Sequence, residues 1–283
     1  MGEWRDLGGY AVKTLVVSRF RLDGGSMFGQ VPKALWSRHA LADEQNRIPL
    51  VLRALLLRRG EALWLIDPGM GSAYSVEEAA RLAVEPGGGL ASALAVAGVD
   101  AERVTDILLT HLHFDHAGGL GERGPDGRLR PALPGARVHL HRTQWERAHA
   151  PGPKELRSYR PIDLELLREI GPRLIDGSAE LLPGLEARPT DGHTPGLLLV
   201  TVRGTKESLV YPSDLIPTLA HIRAPYTTGF DMWPERLMAE KEEILSGAAD
   251  SGAILVLNHD PRTAACRVRR APSGFVVSAK VEL

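Results

Sequence analysis

Six residues, His111-Leu112-His113-Phe114-Asp115-His116, constrain this chain more than any other segment. They follow Val104 to Thr110, an apolar run of the buried-strand type, and precede Ala117-Gly118-Gly119, so the cluster lies where a strand runs out into a loop. Two residues apart in extended chain, His111 and His113 project to the same side. A turn at Asp115-His116 brings two more ligand-type side chains to a neighbouring position, so this segment alone can begin two metal sites. Clustered His and Asp at a strand end are ordinarily solvated loop residues. Three single ligands placed after later strand signals argue otherwise here: His193 in Asp191-Gly192-His193-Thr194-Pro195-Gly196, Asp214 in Tyr211-Pro212-Ser213-Asp214, and His259 in Leu257-Asn258-His259-Asp260.

Composition narrows the chemistry. A single cysteine, Cys266, rules out an internal disulfide and any thiolate cluster, so a metal must be held by imidazole and carboxylate. That donor set suits Zn²⁺ first, with Fe, Mn or Co as alternatives. With 34 basic and 35 acidic residues in 283, the net charge is -1, which argues against a broad nucleic-acid or anionic-membrane surface. The N-terminus lacks a basic segment leading into an apolar run, and nowhere do eighteen apolar residues run together, so a cytoplasmic, soluble protein with no membrane partner is expected.

Along the chain, Tyr10 to Leu22 reads as a strand ending at the turn Asp23-Gly24-Gly25, and residues 26–49 read as a long loop with bulky apolar groups. Leu50 to Leu57 and Ala62 to Ile66 form a hairpin ending in Asp67-Pro68-Gly69. Helices are expected over Glu77 to Val84, Leu90 to Ala97, Thr143 to His149 and Ile162 to Ile170, with a short strand over Ala136 to Leu140. A second run of short strands, from Leu174-Ile175 through Ser208 to Tyr211, reads as a meander. Pro234 then opens a helix with Leu237, Lys241, Ile244, Leu245 and Ala248 on one face, and Ala253 to Leu257 is the last strong strand signal. Two similar halves, each of strands, helix and a strand ending in His, predict one domain over residues 1–283: an α/β, four-layered αββα sandwich.

The order H-x-H-x-D-H, lone His, lone Asp, final His resembles the metallo-β-lactamase-fold hydrolases, and all seven positions are filled. Asp23-Gly24-Gly25-Ser26-Met27-Phe28-Gly29, with Val31-Pro32-Lys33 and Leu35-Trp36, is similar to the N-terminal segment of the quorum-quenching N-acyl homoserine lactonase branch. The resemblance implies two divalent metal ions: one on His111, His113 and His193, a second on Asp115, His116 and His259, with Asp214 bridging. It also implies a metal-bound hydroxide attacking a lactone carbonyl, with Asp115 passing a proton to the leaving alkoxide. Asp67 matches the family's first motif and is a candidate acceptor for a ligating histidine's free N–H.

One position departs from that pattern. Lactonases of this branch carry a tyrosine three residues after the bridging aspartate, where this chain has Pro217, so His221 or Tyr226 is the candidate replacement. Met27, Phe28, Trp36, Phe230 and Trp233 are expected around the metal cleft as an apolar wall, the competing expectation being core or a homodimer interface. His139 and His141 share a strand face but are expected to be structural, since no carboxylates cluster near them in sequence. The function expected is hydrolysis of a small-molecule lactone, the alternative being an aryl esterase or organophosphate (phosphotriester) hydrolase on the same metal centre. A nuclease fits less well, because no basic insertion is present.

Overall fold

Strand alternation builds the core. In the segment around Leu52 to Leu57, the even-numbered Leu52, Ala54 and Leu56 join one apolar cluster while Leu55 and Leu57 join another. The same division separates Leu198, Val200 and Val202 from Leu197 and Leu199. Such strands are apolar on both faces because each face is covered, the situation of a central strand in a layered α/β fold.

The computed structural model describes residues 3–283. One seven-stranded sheet runs in spatial order β1 (Arg5–Asp6), β2 (Ala11–Asp23), β3 (Arg47–Arg59), β4 (Ala62–Ile66), β5 (Asp106–Leu108), β8 (Arg137–His141) and β9 (Arg173–Ile175). The second runs β10 (Ala179–Leu182), β11 (Leu185–Thr190), β12 (Leu197–Arg203), β13 (Ser208–Tyr211), β14 (Ile254–Val256), β15 (Ala265–Ala271) and β16 (Gly274–Val281). A separate hairpin pairs β6 (Gly121–Arg123) with β7 (Leu129–Pro131). The helices are α1 (Gly24–Phe28), α2 (Lys33–Trp36), α3 (Val76–Arg81), α4 (Leu90–Val96), α5 (Phe114–Ala117), α6 (Arg142–His149), α7 (Pro161–Ile170) and α8 (Pro234–Ser251).

Leu55, Leu57, Trp64, Ile66 and Leu108 of the first sheet meet Leu198, Val200, Val202, Ile254 and Val256 of the second in a shared cluster, so the sheets pack face to face. Outside the first sheet lie Leu90 and Leu94 of α4 with Leu166 and Leu167 of α7; outside the second lie Leu237, Ile244 and Leu245 of α8. The result is helix, sheet, sheet, helix. Most pairings are antiparallel, but β4, β5, β8 and β9 pair in parallel, as do β13 and β14. Parallel neighbours end at the same sheet edge, and the loops leaving that edge are where α/β folds place their sites.

The structure corrects several expectations. Residues 26–49 are not one long loop: the end of α1, the whole of α2 and the start of β3 fall within them. Leu174-Ile175 belongs to the first sheet, paired parallel to β8, and not to the second meander. Ala253 to Leu257 is followed by two further strands, β15 and β16, whose alternating Arg, Ser and Lys positions hide an edge hairpin from an apolar-run reading. On α8 the buried positions are the expected ones, Leu237, Lys241, Ile244, Leu245 and Ala248, and the left-handed Gly252 closes the helix. The buried Lys241 ammonium donates to the carbonyls of Arg223 (2.9 Å) and Tyr226 (2.8 Å), while burial pulls its pKa down to about 7.

Among the described residues, no helix is long and apolar enough to cross a membrane. Two outcomes follow from the packing. Leu198→Ala, at a fully buried position between the sheets, is expected to cost about 2–5 kcal/mol in denaturant unfolding; a loss below about 1 kcal/mol would contradict tight packing there. The Cys266 thiol is buried and pushed up to about 12, so a disulfide exchange reagent at pH 8 should label it only after unfolding.

Candidate metal centre

The His-rich loop leaves β5 at its C-terminal end. His113 is the last extended residue before α5, and the carbonyl of His113 accepts from the N–H groups of His116 and Ala117 (both 3.0 Å). This tight turn carries Asp115 and His116 back beneath the histidines of the strand end. His193 comes from the loop between β11 and β12, Asp214 from the turn after β13, and His259 from the segment after β14. Gly192 precedes His193 against the backbone of α8: a Cβ there would lie 2.5 Å from the Leu237 Cα, so a side chain would push the loop off the helix.

Two donor groups result. One comprises His111, His113, His193 and Asp214, the other Asp115, His116 and His259, with the ligand atoms of each group within 4.8 Å of one another. Asp214 faces both. Its Oδ2 lies 3.4 Å from His193 Nε2 and 3.9 Å from His111 Nε2, while Oδ1 lies 3.1 Å from His259 Nε2 and 3.2 Å from His116 Nε2. Asp115 Oδ2 is 3.5 Å from His259 Nε2.

The electrostatics of the donor set are divided. Burial, with repulsion from His116 and His113, holds His111 well below the usual imidazole range. Burial opposes the charged form at His116 too, but Asp214, Asp115 and Asp67 outweigh it and raise His116 well above that range. The Asp214 carboxyl, pushed up by burial, is drawn far down by His116 and His259. The Nε2 atoms of His111 and His116, turned toward Asp214, are buried without a hydrogen-bond partner. Buried polar atoms are rarely left so, and orphaned imidazole lone pairs converging with carboxylates are the donor chemistry that Zn²⁺ or a similar dication takes. The residues fit two cations.

The outward ring nitrogens explain the orientation. Val51 O accepts from His259 Nδ1 (2.8 Å), Asp231 Oδ1 from His193 Nδ1 (2.7 Å) and Asp67 Oδ2 from His116 Nδ1 (2.9 Å). A carbonyl or carboxylate only accepts, so each Nδ1 carries a proton and each Nε2 is the atom turned inward, able to bind a cation once deprotonated. Asp67, held at a positive φ of 54°, also accepts from Thr110 N (2.8 Å) and Thr110 Oγ1 (2.7 Å).

A cavity of about 520 Å³ opens over the donors, with His113, Asp115, His193, Asp214 and His259 at its floor and Leu22, Met27, Phe114, Pro217 and Phe230 among its walls. Met27 and Phe230 therefore stand where an apolar wall was expected. Phe28, Trp36, His221 and Tyr226 do not. Phe28 stacks on Trp36 (5.3 Å between ring centres) and on His221 (5.1 Å) and meets Tyr226 edge-on, a buried aromatic pile beneath the wall. Both His221 nitrogens are used, Nε2 by the Met27 carbonyl (2.8 Å) and Nδ1 by the Thr218 hydroxyl (2.7 Å), and burial pushes its pKa down to about 4. It cannot reach the cavity as the replacement donor. Tyr226 is likewise packed away from it, and Trp233 borders a different surface cleft.

Several supporting residues escaped the sequence reading. Asp231 orients His193. Gln144 joins two ligand loops, its Oε1 accepting from Leu112 N (3.1 Å) and its Nε2 donating to Thr194 Oγ1 (3.0 Å) and the Pro195 carbonyl (2.7 Å). Asp231 precedes Met232-Trp233-Pro234, and only the helix start nearby hinted at a fixed loop. Nor is His139 free of carboxylates: Asp106 lies 2.7 Å from His139 Nε2 and also pairs with Arg137, a structural trio across β5 and β8.

The family model of the metallo-beta-lactamase superfamily matches residues 50–247, and the chain belongs to that superfamily. Two curated relatives are N-acyl homoserine lactonases, one from Bacillus cereus (30% identical, over 40% of this chain and 38% of the relative) and one from Bacillus thuringiensis (25% identical, over 60% and 62%). The chain thus matches less than two thirds of the length of those relatives. Among solved structures, a probable metal-dependent hydrolase from Staphylococcus aureus aligns with a TM-score of 0.89 at 25% identity over 99% of both chains. AidC, a dizinc quorum-quenching lactonase solved with a product, shares the fold at a TM-score of 0.81 and 22% identity over 99% of this chain and 98% of its own.

The hydrogen bonds rank two substitutions. In chelator-treated protein Asp231→Ala, which strands His193 Nδ1 and Thr228 N, is expected to cost about 1–3 kcal/mol. Asp67→Ala should cost more, because it strands three donors and puts alanine at a strained positive φ. Denaturant unfolding of both variants checks the order, and the reverse ranking contradicts the assignment.

Proposed function

We propose that this chain is a dinuclear hydrolase that opens the ring of N-acyl homoserine lactones. The observation that carries the reading is the split of Asp214, one oxygen toward each donor group, at the floor of a cavity whose wall is partly apolar and partly lined by Arg21, Arg47, Arg81, Lys154 and Arg157. The curated relatives of lactonase activity support it. His111, His113 and His193 would hold one metal and Asp115, His116 and His259 the other, with Asp214 shared; zinc suits the set first. When bound, two such cations would supply a water acidified to a pKa of roughly 7 and an electrophile for the carbonyl oxygen.

The protein's own part is placement and proton handling. Met27, Leu22 and Phe230 give an acyl chain an apolar path and keep water from the floor. Asp115, at the cavity floor beside His259, is the carboxylate that would take the proton of the attacking water and pass it to the alkoxide released when the ring opens. Asp67, Asp231 and the Val51 carbonyl hold the imidazoles in one tautomer, so no reorganisation is needed during turnover.

Pro217 favours a second reading. It lines the cavity and carries no hydroxyl with which to polarise a lactone carbonyl, so aryl esters and phosphotriesters, whose leaving groups depart more readily, are the competing substrates.

Metal analysis is expected to find two equivalents of zinc or a similar metal per chain. Asp214→Ala and His116→Ala should lose metal, with kcat/KM falling by at least about 100-fold, the upper end of the effect of losing an outer partner. One equivalent, or activity surviving metal loss, overturns the dinuclear reading. Steady-state turnover of lactone, p-nitrophenyl ester and phosphotriester on the metal-loaded protein separates the substrates; ester or phosphotriester hydrolysis without lactone opening overturns the first choice.

A further inference from the structure

Of the five clustered histidines, one is turned the other way. His193, His116 and His259 point Nε2 toward the donor groups and anchor Nδ1 on an acceptor behind them. In His111, Nδ1 is 3.0 Å from the Thr110 hydroxyl, whose own proton goes to Asp67, so its Nε2 is again the free lone pair. His113 reverses this: its Nδ1 faces inward, 3.2 Å from His193 Nε2, and its Nε2 points away from the centre. That outward Nε2 is buried and has no hydrogen-bond partner.

The group facing it is a carboxylate. Glu155 Oε1 lies 3.9 Å from His113 Nε2, and the Glu155 side chain is itself 2% exposed. Glu155 sits in the turn between α6 and α7, outside the ligand loops. Its other oxygen takes the Arg147 guanidinium, and Tyr159 OH approaches Oε1 at 3.4 Å. The Tyr159 hydroxyl also meets Thr194 Oγ1 (3.1 Å), next to His193. A gap of 3.9 Å is too long for a hydrogen bond and too short for a bridging water, and a shift of about 1 Å closes it.

We propose that Glu155 is the positioning residue for His113: its buried carboxylate accepts the Nε2–H, which fixes the tautomer that leaves Nδ1 as the metal-facing lone pair. The inference rests on the reading that these histidines hold metal. Every other clustered histidine has its acceptor behind it, and Glu155 completes the set. A carboxylate in that place would make the imidazole a stronger donor and fix the orientation of its ring. The pairing also explains a charged side chain in the core, since Arg147 alone would not require Glu155 to present an oxygen to the centre.

The test is zinc affinity by chelator competition, with Glu155→Gln compared against the parent chain. Removal of the charge is expected to weaken one of two zinc equivalents about 10-fold or more, while unfolding of the metal-free proteins changes little. A purely structural Glu155 would do the opposite, lowering metal-free stability with zinc affinity unchanged, and that result overturns the proposal. Should Glu155→Gln fail to fold, the parent chain decides alone. In its Co²⁺-loaded form the His113 Nε2–H should give a slowly exchanging, paramagnetically shifted proton resonance with a cross-relaxation contact to the Glu155 side-chain methylenes. Rapid exchange, or no contact to Glu155, overturns the assignment. A parent chain that binds no zinc overturns the metal reading as well; two bound equivalents unaffected by Glu155→Gln overturn this inference only.

Discussion

The Asp214 carboxylate, set between two groups of buried imidazoles, is the constraint on which the rest of the structure depends. Burying a carboxylate and five imidazoles together is costly unless each charge meets a partner. Here the partners are mutual: Asp214 draws His116 and His259 toward the charged form, and those histidines keep Asp214 ionised. His111 and His113, pushed the other way by burial, present neutral lone pairs. A donor set so divided is stable only when its backbone cannot relax. Two sheets packed through an apolar interface supply that rigidity, and the ligands all leave from strand ends or a tight inter-strand loop.

Both halves contribute, so the centre also ties the sheets together. Thr110 of the first half hydrogen-bonds Ser213 of the second (2.9 Å), while Gln144 spans from Leu112 to Pro195. The buried Arg53 guanidinium donates to the carbonyls of Leu257 (2.6 Å) and Asp260 (3.0 Å), on either side of His259. Each tie satisfies a buried polar group, and each fixes a ligand loop to the opposite sheet. On the far side, Lys241 gathers the carbonyls before Asp231, so even the acceptor behind His193 is anchored from α8.

Much of this was legible because ligand chemistry demands particular residue types at particular places. His111, His113, Asp115 and His116 stand in one short segment, and the single donor residues His193, Asp214 and His259 sit beside strong strand signals. The layered architecture was legible for a similar reason, since strands buried on both faces, such as Leu197 to Val202, leave continuous apolar runs. What escaped was polar and long-range. Asp231, Gln144 and Glu155 meet partners far away in sequence, Asp231 with His193 38 residues off and Gln144 with Leu112, Thr194 and Pro195 32 to 51 residues off. Nothing local marks them. The aromatic pile misled for the converse reason: Phe28, Trp36 and Tyr226 look like cavity walls by composition, but the close approach of Trp36 to Gly24, where a Cβ would lie 2.4 Å from the indole, folds them inward.

Pro217 shows how one residue can tune such a centre without touching its donors. Its carbonyl accepts the backbone N–H of His259 (3.0 Å), so the position is committed to holding a ligand in place, and its ring gives the cavity wall a face with no donor. His221 and Tyr226, the nearest polar aromatics in sequence, are locked beneath that wall. Under the function proposed above, developing negative charge on a substrate oxygen then falls to the cations of the donor set, with no side-chain hydroxyl from Pro217 to share it. Catalysis that depends on preorganised donors weakens when one is missing, and the loss weighs least for substrates with a good leaving group. Under that proposal Pro217 would shift selectivity toward activated esters without disturbing a single donor of the centre.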